Sequence, residues 1–176
     1  MADYGLLAKQ IVSLAEVDVH WLPVLSNAAA LLWDALDDIN WAGFYLVDPV
    51  TVAGVEPGSG SGAEPGLEPV SPELRLGPFQ GKVACVRISF GRGVCGTAAA
   101  TKTSQLVEDV HQFPGHIACD SASNSEVVVP IFKDSQVVGV LDIDSPSVAR
   151  FTQEDLTGLE QVVKALESCV DFSDFC

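Results

Sequence analysis

Two cysteines lie in sequence surroundings that suit thiol chemistry. The first, Cys95, lies in the segment GRGVCG (residues 91–96), after a strand-like stretch and before a short helical run. Its glycines permit a tight loop. We therefore expect Cys95 near the N-terminus of a short helix, where the helix dipole and Arg92 favour the thiolate form. The alternative role is that of a small buried hydrophobic residue.

The second cysteine, Cys119, lies in the polar, loop-like residues 111–125. Little in that stretch could bury it, so a substrate could reach an exposed thiol there. Metal binding is the alternative, but the spacing matches no common zinc pattern and paired cysteines are missing. Its ligands would be His111, His116, Cys119 and Asp120.

Alternation along residues 137–144 predicts a strand with two aspartates on one face. That face would carry Val138, Val140, Asp142 and Asp144, and the opposite face Val137, Leu141 and Ile143.

The turn that precedes this strand decides whether Glu126 joins the aspartates. A three-residue loop over residues 134–136 sets Glu126 opposite Asp144. A two-residue loop sets it opposite Ile143, on the other face, unless a bulge restores the register. Crowded carboxylates repel, so one should stay protonated and could act as a general acid. Solvated caps at the strand ends are the alternative.

The segment GRGVCG also has the G-x-G-x-x-G spacing of dinucleotide-binding loops. A dinucleotide-binding unit needs a full crossover helix and a further parallel strand. Residues 97–102 offer only a short helical run before an extended stretch. The spacing alone is therefore a weak indication.

Apolar periodicity predicts the elements that position these residues. It indicates two N-terminal helices over residues 6–14 and 25–36, and a C-terminal helix that begins at Thr152. The predicted strands cover residues 41–47, 74–79, 83–90, 105–107, 126–132 and 136–143, and the first two should pair antiparallel. Helices at both ends of a mostly antiparallel sheet define an α+β domain.

Residues 49–72 hold five prolines and five glycines, a composition that cannot bury enough apolar area to order itself. We expect a flexible hairpin insertion within a single domain that spans residues 1–176. Lengthening a surface loop costs only about 0.6 kcal/mol per doubling.

The amino-acid composition argues against two classes of binding partner. The 24 acidic and 9 basic residues give a net charge of -15, which disfavours nucleic acid and anionic membrane surfaces. The five cysteines form no Cys-x-x-Cys pair, and no basic region precedes an apolar stretch at the N-terminus. We therefore expect a cytoplasmic protein with reduced thiols, without a metal or organic cofactor.

Five motifs occur in order between His20 and Leu166, apart from the insertion. Together they resemble the free methionine-(R)-sulfoxide reductases, which have the GAF fold. The motifs are WAGFY (41–45), LGPFQG (76–81), GRGVCG (91–96), HIACD (116–120) and LDID (141–144).

This resemblance implies a sheet of about six strands, with helices on one side and an enclosed amino-acid pocket on the other. It also implies that Cys119 is the catalytic thiol, Cys95 its resolving partner and Cys85 a third pocket cysteine with a secondary disulfide role. Cys169 and Cys176 fall outside the motifs.

By the same resemblance, the substrate contacts are Glu126, Asp142 and Asp144, with Trp41 and Tyr45 as the wall for the S-methyl group. Ordinary sheet packing is the alternative role of the two aromatic residues. The reductant would be a thioredoxin-like dithiol. The resemblance leaves open whether the protein forms a homodimer. A GAF module that binds a small ligand or nucleotide is the alternative function, but it needs no pair of loop cysteines beside carboxylates.

Overall fold

The computed structural model describes residues 2–48, 72–116 and 120–175. Its helices are α1 (Tyr4–Ala15), α2 (Trp21–Ala35), α3 (Gly93–Thr101) and α4 (Gln153–Cys169). Its strands are β1 (Trp41–Val47), β2 (Glu73–Gly81), β3 (Arg87–Ser89), β4 (Gln105–Val107), β5 (Ser125–Lys133) and β6 (Gln136–Ser145).

The six strands form one antiparallel sheet in the order β3-β2-β1-β6-β5-β4. The α+β prediction is therefore confirmed, as is the antiparallel pairing of β1 with β2. A dinucleotide-binding unit is excluded, because it needs parallel strands.

Helices α1, α2 and α4 cover one face of the sheet, which we call the helical face. α4 is capped by Thr152, whose side chain accepts from the Asp155 N–H while the Asp155 side chain accepts from the Thr152 N–H. The predicted apolar seam of α4 is confirmed. The buried seam residues are Leu156, Leu159, Val163 and Leu166 of the helix and Val170 directly after it.

The other face of the sheet, which we call the pocket face, carries α3. Val94, Cys95 and Ala98 of this helix pack in one cluster with Trp41 and Tyr45. The expectation of helices on one side of the sheet and a pocket on the other is therefore confirmed for α1, α2 and α4, and the short α3 lies on the side of the pocket. Among the described helices, none is long and apolar enough to cross a membrane.

The third strand is shorter than predicted. Only Arg87–Ser89 pairs with β2, and residues 82–86 form a loop instead of the start of a strand. The β-branched Val83 and Val86 indicated a strand, but β-propensity depends on packing against neighbours. Both valines are exposed here.

The predicted flexible insertion, residues 49–72, lies outside the described residues except for Pro72. The strand ends beside it are held together, since Val47 and Leu74 are paired. The buried carboxylate of Asp48 also forms ion pairs with Arg75 and Arg87.

Candidate active site

Three carboxylates meet on the pocket face. Glu126 on β5 lies directly opposite Asp144 on β6, and Asp142 lies two residues before Asp144 on the same strand. The β5–β6 turn has two residues, Asp134 and Ser135, both with positive φ, and a bulge follows at Ile131/Phe132. The structure thus combines the two-residue loop with the bulge that restores the register.

The same bulge corrects the predicted faces of β6. Val138 packs with Leu141 and Ile143 on the helical face, whereas Val137 packs with Val140 on the pocket face. The sequence pattern placed these two valines the other way round. Alternation is the rule in a regular strand, but the bulge adds one residue and reverses the parity of every position before it.

Burial dominates the electrostatics of this cluster. Glu126 and Asp142 are each only 6% exposed. Desolvation, with Asp142 and Asp144 nearby, raises the pKa of Glu126 well above its ordinary value. Burial likewise raises the pKa of Asp144, and that of Asp142 to about 6. The cluster therefore holds protons at a pH where exposed carboxylates are ionised.

Cys95 lies at the third position of α3, as expected, but its predicted thiolate character is wrong. The residue is only 4% exposed, and its Sγ lies 3.9 Å from Glu126 Oε1. Burial, and then the neighbouring charges of Asp142 and Glu126, raise the pKa of its thiol. Arg92 is exposed at the start of the helix, so the helix dipole and this cation do not outweigh the carboxylates.

The glycines of GRGVCG have the predicted role. Gly91 and Gly93 adopt positive φ values of 80° and 61°. A Cβ at Gly96 would overlap the Ser89 carbonyl oxygen. The loop can therefore turn tightly enough to place Cys95 against the carboxylates.

The cysteines differ in state. Cys85 is half-buried and disulfide-bonded. Cys95 and Cys169 carry free thiols. Cys119, the predicted nucleophile, and Cys176 lie outside the described residues. Cys169 packs beside the helical-face core, away from the pocket.

Aromatic rings form one wall of the site. The rings of Trp41 and Tyr45 stack with centroids 5.7 Å apart, and Phe79 stacks on Trp41 at 5.3 Å. Trp41 and Tyr45 line a recess together with Asp142 and Asp144. The predicted wall therefore lies beside the predicted carboxylates.

A cavity of about 390 Å³, partly open to solvent, extends from this recess over the cluster. Its walls include Tyr45, Ile88, Arg92, Gly93, Val94, Cys95, His116, Asp120, Ser123, Glu126, Asp142 and Asp144. Arg92 is the one Lys or Arg side chain among these residues.

Sequence reasoning missed a polar network at the edge of the cavity. Asn40 Nδ2 donates to Asp120 Oδ2 at 3.2 Å and to Ser123 Oγ at 3.0 Å. Lys82 Nζ lies 3.3 Å from Asp120 Oδ2. The Ala122 N–H and, more weakly, Lys82 lower the pKa of Asp120. Only the position of Asn40, directly before the WAGFY motif, could have indicated it.

Three buried polar atoms in the site and at its edge have no hydrogen-bond partner among the described residues. They are the donor Trp41 Nε1 and the acceptors Asn40 Oδ1 and Asp142 Oδ1. An unpaired buried polar group costs about 1–3 kcal/mol. A ligand with a matching donor or acceptor would remove that cost.

Of the alternative metal site at His111, His116, Cys119 and Asp120, Cys119 lies outside the described residues, and the other three do not form a group that could hold a metal ion. Within the described part of the chain, the side chains that could hold a metal ion are Cys95, Glu126 and Asp142, with ligand atoms within 4.8 Å of one another. His111 Nε2 instead lies 3.0 Å from Asn124 Oδ1.

Comparison with known proteins agrees with this geometry. The chain matches the GAF domain over residues 19–170. It is 47% identical over 172 residues to the free methionine-R-sulfoxide reductase of Escherichia coli K12, which covers 98% of this chain and 91% of the relative.

Two solved structures are similar over nearly the whole chain. The reduced form of fRMsr of Staphylococcus aureus has a TM-score of 0.81 and 48% identity, with 97% of both chains covered. The free methionine-R-sulfoxide reductase of Neisseria meningitidis in complex with its substrate has a TM-score of 0.80 and 40% identity, with 97% of this chain and 89% of the other covered. Fold, site and sequence together place this chain in the GAF-domain family of the free methionine-(R)-sulfoxide reductases.

Proposed function

We propose that this chain reduces free methionine-(R)-sulfoxide to methionine, with Cys119 as the nucleophile. The observation that carries the proposal is the cluster of the buried Glu126 and Asp142 and the partly buried Asp144 beside an aromatic wall. A cavity that receives both a cation and an apolar group suits the two ends of a free amino acid with a thioether-like side chain.

In the chemical step, the Cys119 thiolate attacks the sulfoxide sulfur. A protonated carboxyl, Glu126 or Asp144, transfers its proton to the sulfoxide oxygen. The oxygen then passes from the substrate sulfur to the Cys119 sulfur as the transient sulfur–sulfur bond and the original S–O bond break, so that methionine leaves and Cys119 carries the oxygen as a sulfenic acid. The raised pKa values of Glu126 and Asp144 support this role, because an acid must hold its proton until the reaction needs it.

Selection of the free amino acid follows from charge. Asp142 has a buried oxygen without a partner among the described residues, and this oxygen can accept from the substrate ammonium. Arg92 can pair with the substrate carboxylate at the cavity mouth. A peptide-bound residue offers neither charge. Trp41 and Tyr45 would receive the S-methyl group.

The second step restores a disulfide. Condensation of a resolving thiol with the Cys119 sulfenic acid releases water and prevents further oxidation. The resemblance to the family implies Cys95 in this role, and its buried position beside the carboxylates suits a thiol that stays protonated until then. Cys85 is the second candidate for the resolving thiol, because among the cysteines that the structure describes it is the one in a disulfide. A thioredoxin-like dithiol, in keeping with a cytosolic location, would complete the cycle.

Incubation with dithiothreitol and racemic free methionine sulfoxide tests the function. We expect the R epimer to disappear with formation of an equal amount of methionine, while the S epimer remains. A GAF module that only binds its ligand would leave both epimers unchanged, and that result would refute the proposal.

Variants test the cysteine roles. Cys119→Ser should abolish methionine formation with any reductant, because a neutral hydroxyl lacks the nucleophilicity of a thiolate. Cys95→Ser should still form about one methionine per subunit in a single turnover, since attack and proton transfer need only Cys119 and the carboxyls. Cys169→Ser, away from the pocket, is the matched control. An active Cys119→Ser variant would move the nucleophile to another cysteine.

A further inference from the structure

A thiol and two carboxylates meet at one place in the wall of the cavity. Cys95 Sγ, a carboxylate oxygen of Glu126 and a carboxylate oxygen of Asp142 lie within 4.8 Å of one another. Cys95 lies on α3, Glu126 on β5 and Asp142 on β6, so three separate elements bring these atoms together. All three residues line the cavity, which is partly open to solvent. A small ion can therefore reach them.

The spacing of these three atoms fits a tetrahedral zinc ion. Bonds of about 2.3 Å to sulfur and about 2.1 Å to oxygen set the sulfur and the oxygen about 3.6 Å apart around such an ion. Cys95 Sγ lies 3.9 Å from Glu126 Oε1. Side-chain shifts of less than about 1 Å would bring all three atoms to the tetrahedral spacing.

The protein itself supplies little positive charge at this place. Glu126 and Asp142 are each 6% exposed, and Cys95 is 4% exposed. Among the described residues, none of the ion pairs includes any of the three. Arg92, the cation of the cavity wall, is exposed at the start of α3. Ionised groups buried in this way need a positive partner, and a bound dication supplies one.

One oxygen of the group is available to a ligand. Asp142 Oδ1 is buried and has no hydrogen-bond partner among the described residues. A buried acceptor opposes folding while it is unpaired, and a metal bond pairs it as a donor would. Under the proposed function, the substrate ammonium uses this same oxygen. A metal ion and the substrate would therefore exclude each other.

We propose that Cys95, Glu126 and Asp142 form a Zn²⁺ site whose occupation keeps the substrate out of the pocket and blocks the resolving thiol. The donor set selects the metal, because Zn²⁺ binds thiolate together with carboxylates, whereas Mg²⁺ and Ca²⁺ take six or more oxygen ligands. Binding forms a zinc–sulfur bond and releases the thiol proton of Cys95 to the solvent. The inhibition rests on the proposed function, whereas the metal binding does not.

Metal titration of the reduced protein, freed of dithiothreitol because this dithiol binds zinc, tests the site. Co²⁺ is the spectroscopic substitute for Zn²⁺, since a cobalt–thiolate bond gives a charge-transfer absorption in the near ultraviolet. We expect this band in the wild type and its loss in Cys95→Ser. Asp142→Asn should weaken the zinc affinity at least about a hundredfold, because even the loss of a residue that only orients a metal ligand costs about 10–100-fold.

Two variants on the other side of the sheet are the matched controls. Cys169→Ser changes a thiol beside the helical-face core, and Asp34→Asn changes an exposed carboxylate on α2. Both should bind zinc as the wild type does. A charge-transfer band that survives Cys95→Ser would overturn the proposal, as would an unchanged zinc affinity in Asp142→Asn or an equal loss in either control. Asp142→Asn keeps the shape of the side chain and decides the question alone if Cys95→Ser does not fold.

A single turnover of the reduced protein, without external thiol, tests the inhibition. A metal buffer fixes the free Zn²⁺ concentration at ten times its Kd, where the rate of methionine formation should fall about tenfold. Excess free methionine sulfoxide should relieve this inhibition. A rate that does not respond to bound zinc, or inhibition that substrate does not relieve, would overturn the proposal. Absence of methionine from the zinc-free protein would instead refute the proposed function, and the titrations would still decide the zinc site.

Discussion

On its helical face the sheet buries a continuous apolar layer, whereas on its pocket face it holds three carboxylates, two of them buried, and a buried thiol. Phe44, Leu141 and Ile143 are fully buried against α1, α2 and α4. Glu126 and Asp142 are almost as inaccessible on the pocket face. Adjacent residues of β6 thus contribute to opposite environments, since Leu141 and Asp142 point to different faces.

The two faces therefore have opposite effects on stability. Burial of a large aliphatic side chain contributes about 1.5–3 kcal/mol. Burial of an ionisable carboxylate opposes folding unless the group is protonated or paired, and the raised pKa values record that opposition. We infer that the helical face stabilises a pocket whose groups are arranged for chemistry and not for stability.

The largest expected effect is on the helical face. Leu159→Ala removes a fully buried side chain of α4, and it should lower the free energy of unfolding by about 2–5 kcal/mol. Turnover per folded molecule should not change. Urea unfolding and a dithiothreitol-driven assay measure the two quantities. The control is Leu22→Ala at a half-exposed position of α2, which should cost much less. Equal costs would contradict the assignment of the core.

Glu126→Gln, on the pocket face, should raise the free energy of unfolding and lower the turnover. Since the pKa of Glu126 is raised in the folded state, the folded protein keeps a proton that the unfolded chain loses above about pH 4.3. The free energy of unfolding of the wild type therefore falls as the pH rises from about 4.3 towards the raised pKa of Glu126. The variant should be more stable by about 1–3 kcal/mol at pH 8, and its turnover should fall about a hundredfold.

This gain in stability should shrink as the pH falls towards 4. Thermal unfolding at several pH values measures it, and Glu108→Gln on the surface is the control. A variant that is less stable than the wild type at pH 8 would show that the Glu126 carboxyl stabilises the folded state, contrary to this prediction.

A smaller effect is expected at the mouth of the pocket. Arg92→Met removes the cation at the cavity mouth, and it should raise the KM for free methionine sulfoxide by up to about tenfold. The value of kcat should stay the same, because the carboxylate of the substrate is remote from the reacting sulfur. Lys9→Met on α1 is the control. An unchanged KM would mean that another group binds the carboxylate.

The smallest effect is expected for the insertion. Deletion of residues 54–66 should leave the melting temperature and the activity nearly unchanged, because this Gly/Pro-rich segment contributes little apolar burial. The pairing of Val47 with Leu74 should hold the two strand ends together without it. A cooperative loss of structure would show that the segment packs on one of the two faces.

Local patterns in the sequence determined most of the helical face. The period of the apolar residues predicted α4, and its capping residues predicted where it begins. β1 has its predicted bounds, since an apolar, aromatic run of this kind has one stable arrangement in a sheet. The same regularity failed at residues 83–86, where the β-branched Val83 and Val86 are exposed and do not pack as strand residues do.

Only the tertiary structure decided how the pocket face is built. One extra residue in the β6 bulge places Glu126 opposite Asp144 and turns Val138 to the helical face, and no residue in the sequence marks that bulge. The state of the Cys95 thiol likewise depends on carboxylates that arrive from β5 and β6. Periodicity is a local property that the sequence carries directly, whereas burial and charge depend on segments that meet only after folding.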